Sequence, residues 1–130
     1  MSRIVWLLLL IIWKREKMPV TYPKVKLWFV DENGEAVFGE GLAKLLEAVE
    51  KCGSLSVASD HLGMSYRYAL HRVSLAERRL GFELIRRRGG GVAGGASELT
   101  TYGKKMLVKY RKIEKEIEKF LENHQVRTSN

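Results

Sequence analysis

From Lys24 the chain alternates: Val25, Leu27 and Phe29 stand on one side of an extended run, Asp31-Glu32-Asn33-Gly34 follows, and Glu35-Ala36-Val37-Phe38 returns. An Asn-Gly pair between such runs predicts a β-hairpin with positive φ at both turn residues. The period then changes from two to about 3.6. Leu42, Leu45, Leu46 and Val49 predict a first helix near 41–52, stopped by Gly53. Ser54 caps a short second helix through Ala58 and Leu62 that ends at Gly63. Ser65 caps a third, with Ala69, Val73, Ala76 and Leu80 on its core face and Gly81 as its stop. Three helices with a tight glycine turn between the last two spell helix-turn-helix.

Beyond Gly81, Leu84-Ile85-Arg86-Arg87-Arg88 reads as a strand, residues 89–95 as a glycine-rich loop and Ala96-Ser97-Glu98-Leu99 as the return strand. Thr100 caps a long final helix in which Gly103, Met106, Tyr110, Ile113, Ile117 and Phe120 recur at alternating three- and four-residue spacing, the seam of a coiled coil. Residues 124–130 read as a polar, frayed tail.

Residues 4–13 are ten consecutive apolar positions flanked by Arg3 and by Lys14, Arg15 and Lys17. A spanning helix needs about twenty such residues, and no small-x-small cleavage site follows, so neither a membrane span nor a secretory signal is expected. Three readings stay open: translation starting at Met18, a segment packing on the fold or a partner, or a membrane contact.

With 130 residues, 45% hydrophobic and 29% charged, the chain has the size and composition of one globular domain. Its net charge of +8 points to a polyanionic partner. The excess is segregated. Residues 31–60 hold two basic and seven acidic side chains, whereas 61–115 hold thirteen basic and four acidic, which predicts one acidic and one basic face. The single cysteine, Cys52, excludes an internal disulfide framework and reads as a buried structural thiol; a reducing cytoplasm fits.

On the third helix, Tyr66, Arg67, Leu70, His71, Ser74 and Arg78 fall largely outside the core face, and arginine, tyrosine and serine there suit base edges and phosphates. The string Gly89-x-Gly91-x-x-Gly94 matches a dinucleotide-binding fingerprint literally. Its context excludes that chemistry, because a strand carrying three arginines precedes it and another strand follows, where the fingerprint requires an immediate helix. A glycine-tipped wing flanked by Arg86, Arg87 and Arg88 can instead lay amides and guanidinium groups on DNA phosphates. His61, His71 and His124 lie on separate elements, no carboxylate pair or nucleophile–base pair stands out, and no enzyme, metal or cofactor is expected.

Gly53-Ser54-Leu55-Ser56, Leu62-Gly63-Met64-Ser65-Tyr66-Arg67, the glycine loop and Leu99-Thr100-Thr101-Tyr102-Gly103 resemble, in this order, the DNA-binding domain of ModE-type molybdate-responsive regulators. A looser likeness to LysR-type regulators runs through Ser65, Val73, Glu77, Leu80-Gly81 and Leu84. The resemblance implies a winged helix-turn-helix, a homodimer formed through long helices, and transcriptional regulation. It assigns Ser65, Tyr66, Arg67, His71 and Arg72 to the recognition helix, and Arg86, Arg87, Arg88, Gly89, Gly90, Gly91, Gly94 and Gly95 to the wing. Ser54 and Thr100 could hold phosphates if not consumed as caps.

The expectation is a mainly α fold with small β-hairpins: an apolar extension (1–18), a winged helix-turn-helix (19–100), a dimerisation helix (101–123) with Met106, Tyr110, Ile113, Ile117 and Phe120 at its interface, and a tail (124–130). The function expected is a dimeric, cytoplasmic, sequence-specific double-stranded-DNA-binding regulator without an effector domain of its own. The competing class is a protein-interaction or membrane-tethered adaptor built on the same scaffold.

Overall fold

The computed structural model describes residues 2–16, 19–88, 95–124 and 126–127. Among these, the order is α1 (Arg3–Glu16), β1 (Val20–Thr21), β2 (Trp28–Val30), β3 (Ala36–Gly39), α2 (Glu40–Cys52), α3 (Leu55–His61), α4 (Tyr66–Leu80), β4 (Ile85–Arg87), β5 (Ser97–Leu99), α5 (Thr101–Glu122) and β6 (Val126–Arg127). The chain divides into a unit over Lys26–Glu114 and a second formed by the residues up to Val25 with those from Lys115 onward. The division expected at residue 100 is therefore not the one observed, because α5 enters the first unit's core.

In that unit, β2 and β3 form an antiparallel pair with Phe29 opposite Phe38. The turn differs from the expected one. Only Gly34 has positive φ. The Gly34 amide donates to the Asp31 carbonyl, the Asp31 amide donates to the Glu35 carbonyl, and the Asp31 carboxylate accepts from the Asn33 and Glu35 amides. This is a three-residue connection closed by a left-handed glycine, stabilised by a side chain that competes for the turn amides. Val30 pairs with Ala36, so Val37 is the extra residue of a bulge. The bulge turns Val37 and Phe38 both inward, where regular alternation buries only one of them.

Helix α2 supplies the largest share of the core, with Leu42, Ala43, Leu45, Leu46 and Val49 all buried. It ends at left-handed Gly53, whose amide donates to the Val49 carbonyl. The caps fall where expected: Ser54 Oγ accepts from the Val57 amide and Ser65 Oγ from the Tyr68 amide, and Gly81 closes α4 in the left-handed region. Cys52 is half-buried and free, less enclosed than expected.

The expected seam of α5 divides. Tyr110 is 1% exposed, its ring lies 5.5 Å from that of Phe29 and 5.3 Å from that of Phe38, and its hydroxyl donates to the Leu27 carbonyl at 2.9 Å. Gly103 and Leu107 are buried as well, and Met106 packs against the same core. These residues cover their own domain and Tyr110 is withdrawn from any partner. Ile113 and Ile117 stay half-buried and Phe120 is 65% exposed.

Beside Tyr110, Arg111 pairs with Glu40 and Glu114 at 2.8 Å each and with Glu47, tying α5 to α2. Burial alone would lower its pKa, but the Glu47 hydrogen bond foremost, with those of Glu40 and Glu114, holds the guanidinium still more firmly protonated. Burial would raise the Glu40 carboxyl, but the Arg111 contact outweighs it and holds Glu40 below the usual carboxylate range. Glu114 is pushed up, by burial first and by its neighbour Glu40.

In the second unit, β1 pairs antiparallel with β6, Val20 opposite Arg127 and Thr21 opposite Val126, and Thr21 Oγ1 donates to the Val126 carbonyl at 2.6 Å. The expected tail is thus partly a strand, because Val126 offers a β-branched residue and open backbone to Val20 and Thr21. His124 stacks on Phe120 at 4.5 Å.

Candidate nucleic-acid interface

Helix α4 is held by one face. Ala69, Val73 and Ala76 are buried, and the Ser65 cap fixes where the helix starts. At 100° per residue, the direction opposite this core stripe is occupied by Arg67, His71 and Arg78, all exposed. Ser74 and Tyr66 flank it on the side of the strand pair β4–β5. Tyr68, Arg72 and Arg79 flank it on the side of the β2–β3 hairpin. Arg78, named among the off-core residues but left out of the resemblance-derived set, therefore shares the outward face.

Arg72 does not. Its guanidinium reaches toward Gly41 at the start of α2 and lies 6.0 Å from the Tyr68 ring. One residue beyond His71, about 100° round the helix, turns it to the hairpin flank of the same helix. Arg79 is spent likewise: its guanidinium donates to the Ala36 carbonyl at 2.7 Å and pairs with Glu35.

The wing strands are set by Glu77, whose carboxylate accepts from the amides of Leu84 and Ile85 at 2.7 and 3.3 Å. Antiparallel pairing then puts Arg86 opposite Glu98 and Arg87 opposite Ser97. Arg88 and Arg86 both approach the Glu98 carboxylate, at 2.8 and 3.9 Å, while the Arg87 guanidinium stands 5.8 Å over the Tyr66 ring. This last contact joins the wing strand to the first turn of α4. Between them lies an open groove of about 340 Å³ lined by Leu70, Ser74, Glu77, Arg86 and Arg87 among others. Gly95 is described; Gly89, Gly90, Gly91 and Gly94 lie outside the described residues.

The two capping hydroxyls part company. Thr100 is 8% exposed, donates to the Glu83 carbonyl at 2.6 Å and accepts from the Gly103 amide, so it holds the wing to α5 and has nothing left for a phosphate. Ser54 stays half-buried with its cap bond at 3.4 Å. Glu77→Ala is expected to cost about 1–3 kcal/mol, because two amides at buried residues lose their acceptor; urea unfolding of the variant gives the value, and faster hydrogen exchange at Leu84 and Ile85 places the loss in the wing.

No group of three or more His, Cys, Asp or Glu side chains that could hold a metal occurs among the described residues. The arrangement presents instead a cationic helix face beside a cationic strand pair.

Residues 42–104 match the family described as bacterial regulatory helix-turn-helix protein, lysR family. The molybdenum-pterin-binding protein MopB of Rhodobacter capsulatus is 33% identical over 90 residues, covering 69% of this chain and 33% of that protein. The molybdenum transport protein ModE of Azotobacter vinelandii is 33% identical over 79 residues, covering 61% and 29%. The transcriptional regulator ModE of Haemophilus influenzae is 31% identical over 72 residues, covering 55% and 28%. The chain thus spans about a third of the length of these curated relatives. Among solved structures, the CbnR DNA-binding domain, crystallised with DNA, superposes with a TM-score of 0.50 at 24% identity over 61% of this chain and 85% of that one, a likeness of fold. Over residues 42–104 the chain is accordingly similar to regulatory helix-turn-helix proteins of the lysR family, and over 72 to 90 residues to the curated ModE and MopB proteins.

Proposed function

We propose that this protein is a sequence-specific, double-stranded-DNA-binding transcriptional regulator that acts as a homodimer. The observation that carries the reading is the outward set Arg67, His71 and Arg78 on α4, beside a wing strand whose Arg87 stands over Tyr66 at the start of the same helix. A helix of this width enters a major groove, where Arg67 reads a guanine edge bidentately and Tyr66 and Ser65 engage the flanking backbone. Arg86, Arg87, Arg88 and the glycine loop then lie on phosphates, with the Glu98 pairs exchanged for DNA. Dimerisation falls to the part of the α5 stripe that its own core leaves over, Ile113, Ile117 and Phe120. Two-fold pairing sets the recognition helices about 34 Å apart, or a multiple of that, and so calls for a roughly palindromic operator.

Duplex affinity measured against salt is expected to fall with a log–log slope of about −4 to −8, for about five to nine neutralised phosphates. Arg67→Ala should cost about 1–3 kcal/mol on the preferred site and relax its sequence preference. Arg87→Ala should weaken preferred and random duplexes alike and flatten the salt slope by about 1. Salt-independent affinity would sink DNA binding itself. An unchanged ratio of specific to random affinity in Arg67→Ala would remove Arg67 from base reading.

A further inference from the structure

The apolar run at residues 4–13 lies within helix α1, and all ten of its side chains are 42–68% exposed. A helix that is apolar on every side is stable only where every side is covered. A protein groove or one partner helix covers a stripe and leaves the remainder wet. A lipid leaflet can take up most of the circumference, leaving only a stripe at headgroup level. The helix is not long enough to cross a membrane. Its ten apolar residues extend about 15 Å, the depth of one leaflet's hydrocarbon.

Charge selects the kind of surface. Arg3 precedes the apolar run, and Lys14, Arg15 and Lys17 follow it with Glu16 as the single acid. Cations at both ends keep both ends at headgroup level, so the helix lies along the interface, and they favour anionic lipid. Trp6 and Trp13 are seven residues apart and therefore share one stripe, the placement in which indole rings sit among headgroups. Leu8 and Ile11 stand on the opposite side, the one directed into the acyl chains.

We propose that α1 is a docking element for an anionic bilayer surface, embedding in one leaflet and tethering the DNA-binding domain to it. The proposal is independent of how, or whether, that domain reads DNA.

The test uses the full chain with vesicles of phosphatidylcholine alone or with a minority of phosphatidylglycerol. The basic DNA-binding face would also adsorb to anionic lipid, so binding is compared in about 1 M salt, where the screening length is about 3 Å and surface adsorption is suppressed. The wild type is expected to co-sediment with both kinds of vesicle under these conditions, with tryptophan emission shifted to the blue, and to favour the mixed vesicles over neutral ones at about 0.1 M salt, where headgroup charge is less screened. Leu8→Glu with Ile11→Glu should reduce partitioning about tenfold or more, since both charges fall on the buried side. The same variant should keep the wild-type unfolding midpoint and duplex affinity. Equal vesicle binding by the variant and wild type in about 1 M salt overturns the proposal, as does equal binding of the wild type to neutral and anionic vesicles at about 0.1 M salt. Lipid-free self-association that the double substitution abolishes, without vesicle binding by the wild type, overturns it in favour of a second copy as the occupant.

Discussion

Tyr110→Ala is expected to lower the free energy of unfolding by about 3–5 kcal/mol, the range for removing a buried aromatic ring. The ring is buried and packs against those of Phe29 and Phe38. Its hydroxyl adds a second loss, the bond to the Leu27 carbonyl that ties α5 to the strand segment before β2. Tyr110→Phe keeps the ring and removes that bond, so it should cost about 1–2 kcal/mol. Urea titrations followed by circular dichroism separate the two contributions. Against a total stability of about 5–15 kcal/mol for a domain, the alanine variant is close to the edge of folding at physiological temperature. A loss below about 1 kcal/mol for alanine would mean that the ring is not part of its own core. The whole α5 stripe would then return to the dimer seam.

Gly103→Ala is expected to be comparably damaging, about 3 kcal/mol or more, at and beyond the top of the usual range for overpacking. A Cβ at this position would fall 2.2 Å from the Leu84 carbonyl oxygen and 3.1 Å from its carbon. Neither atom belongs to a movable side chain. The same carbonyl accepts from the Thr100 amide at 2.9 Å, so relieving the clash breaks the junction between the wing and α5. Alanine's helix propensity returns only about 1 kcal/mol. Gly41 provides the control. Its added Cβ would meet only the far end of Arg72, at 3.3 Å, and Gly41→Ala should leave stability unchanged or raise it by up to about 1 kcal/mol. Thermal unfolding of the pair gives opposite signs if the close approach at Gly103 is the cause. If both variants lose or both gain, the steric account is wrong. Because Gly103 fixes where β4 departs, loss of DNA affinity in Gly103→Ala should follow loss of folded protein and vanish when corrected for it.

Much of the site was legible before the fold. Ser65, followed by the Ala69, Val73 and Ala76 stripe, fixes the start and the phase of α4, and phase alone puts Arg67, His71 and Arg78 outward. The wing's strands were legible from apolar Leu84-Ile85 and the paired return at Leu99. Glu77 offered no local signal, since a glutamate on a helix is ordinarily a solvated residue. Its role exists only because the chain after Gly81 returns with two amides that need an acceptor. Arg111 was counted with the basic face and belongs to an internal cluster with Glu40, Glu47 and Glu114, residues more than sixty positions away in two of three cases. The segregation of charge along the sequence is therefore partly a device for holding α5 on α2, and partly the cationic surface that the proposed function gives to DNA.

The sequence by itself determined what depends on near neighbours: helix starts at Ser54 and Ser65, left-handed stops at Gly53 and Gly81, and the apolar face of α2. Such features are set within one or two turns by hydrogen-bonding hydroxyls, by the absence of a Cβ and by periodicity. Tertiary structure alone decided how each apolar or polar surplus was spent. The α5 stripe was divided, with Tyr110 buried at home and Phe120 left out; Thr100 became a junction; Val37 and Phe38 were both turned inward by a bulge. Periodicity states that a face will be covered and composition states that a charge will be paired. Neither can name the covering or pairing group, because that depends on which distant segments the closed core brings within contact distance.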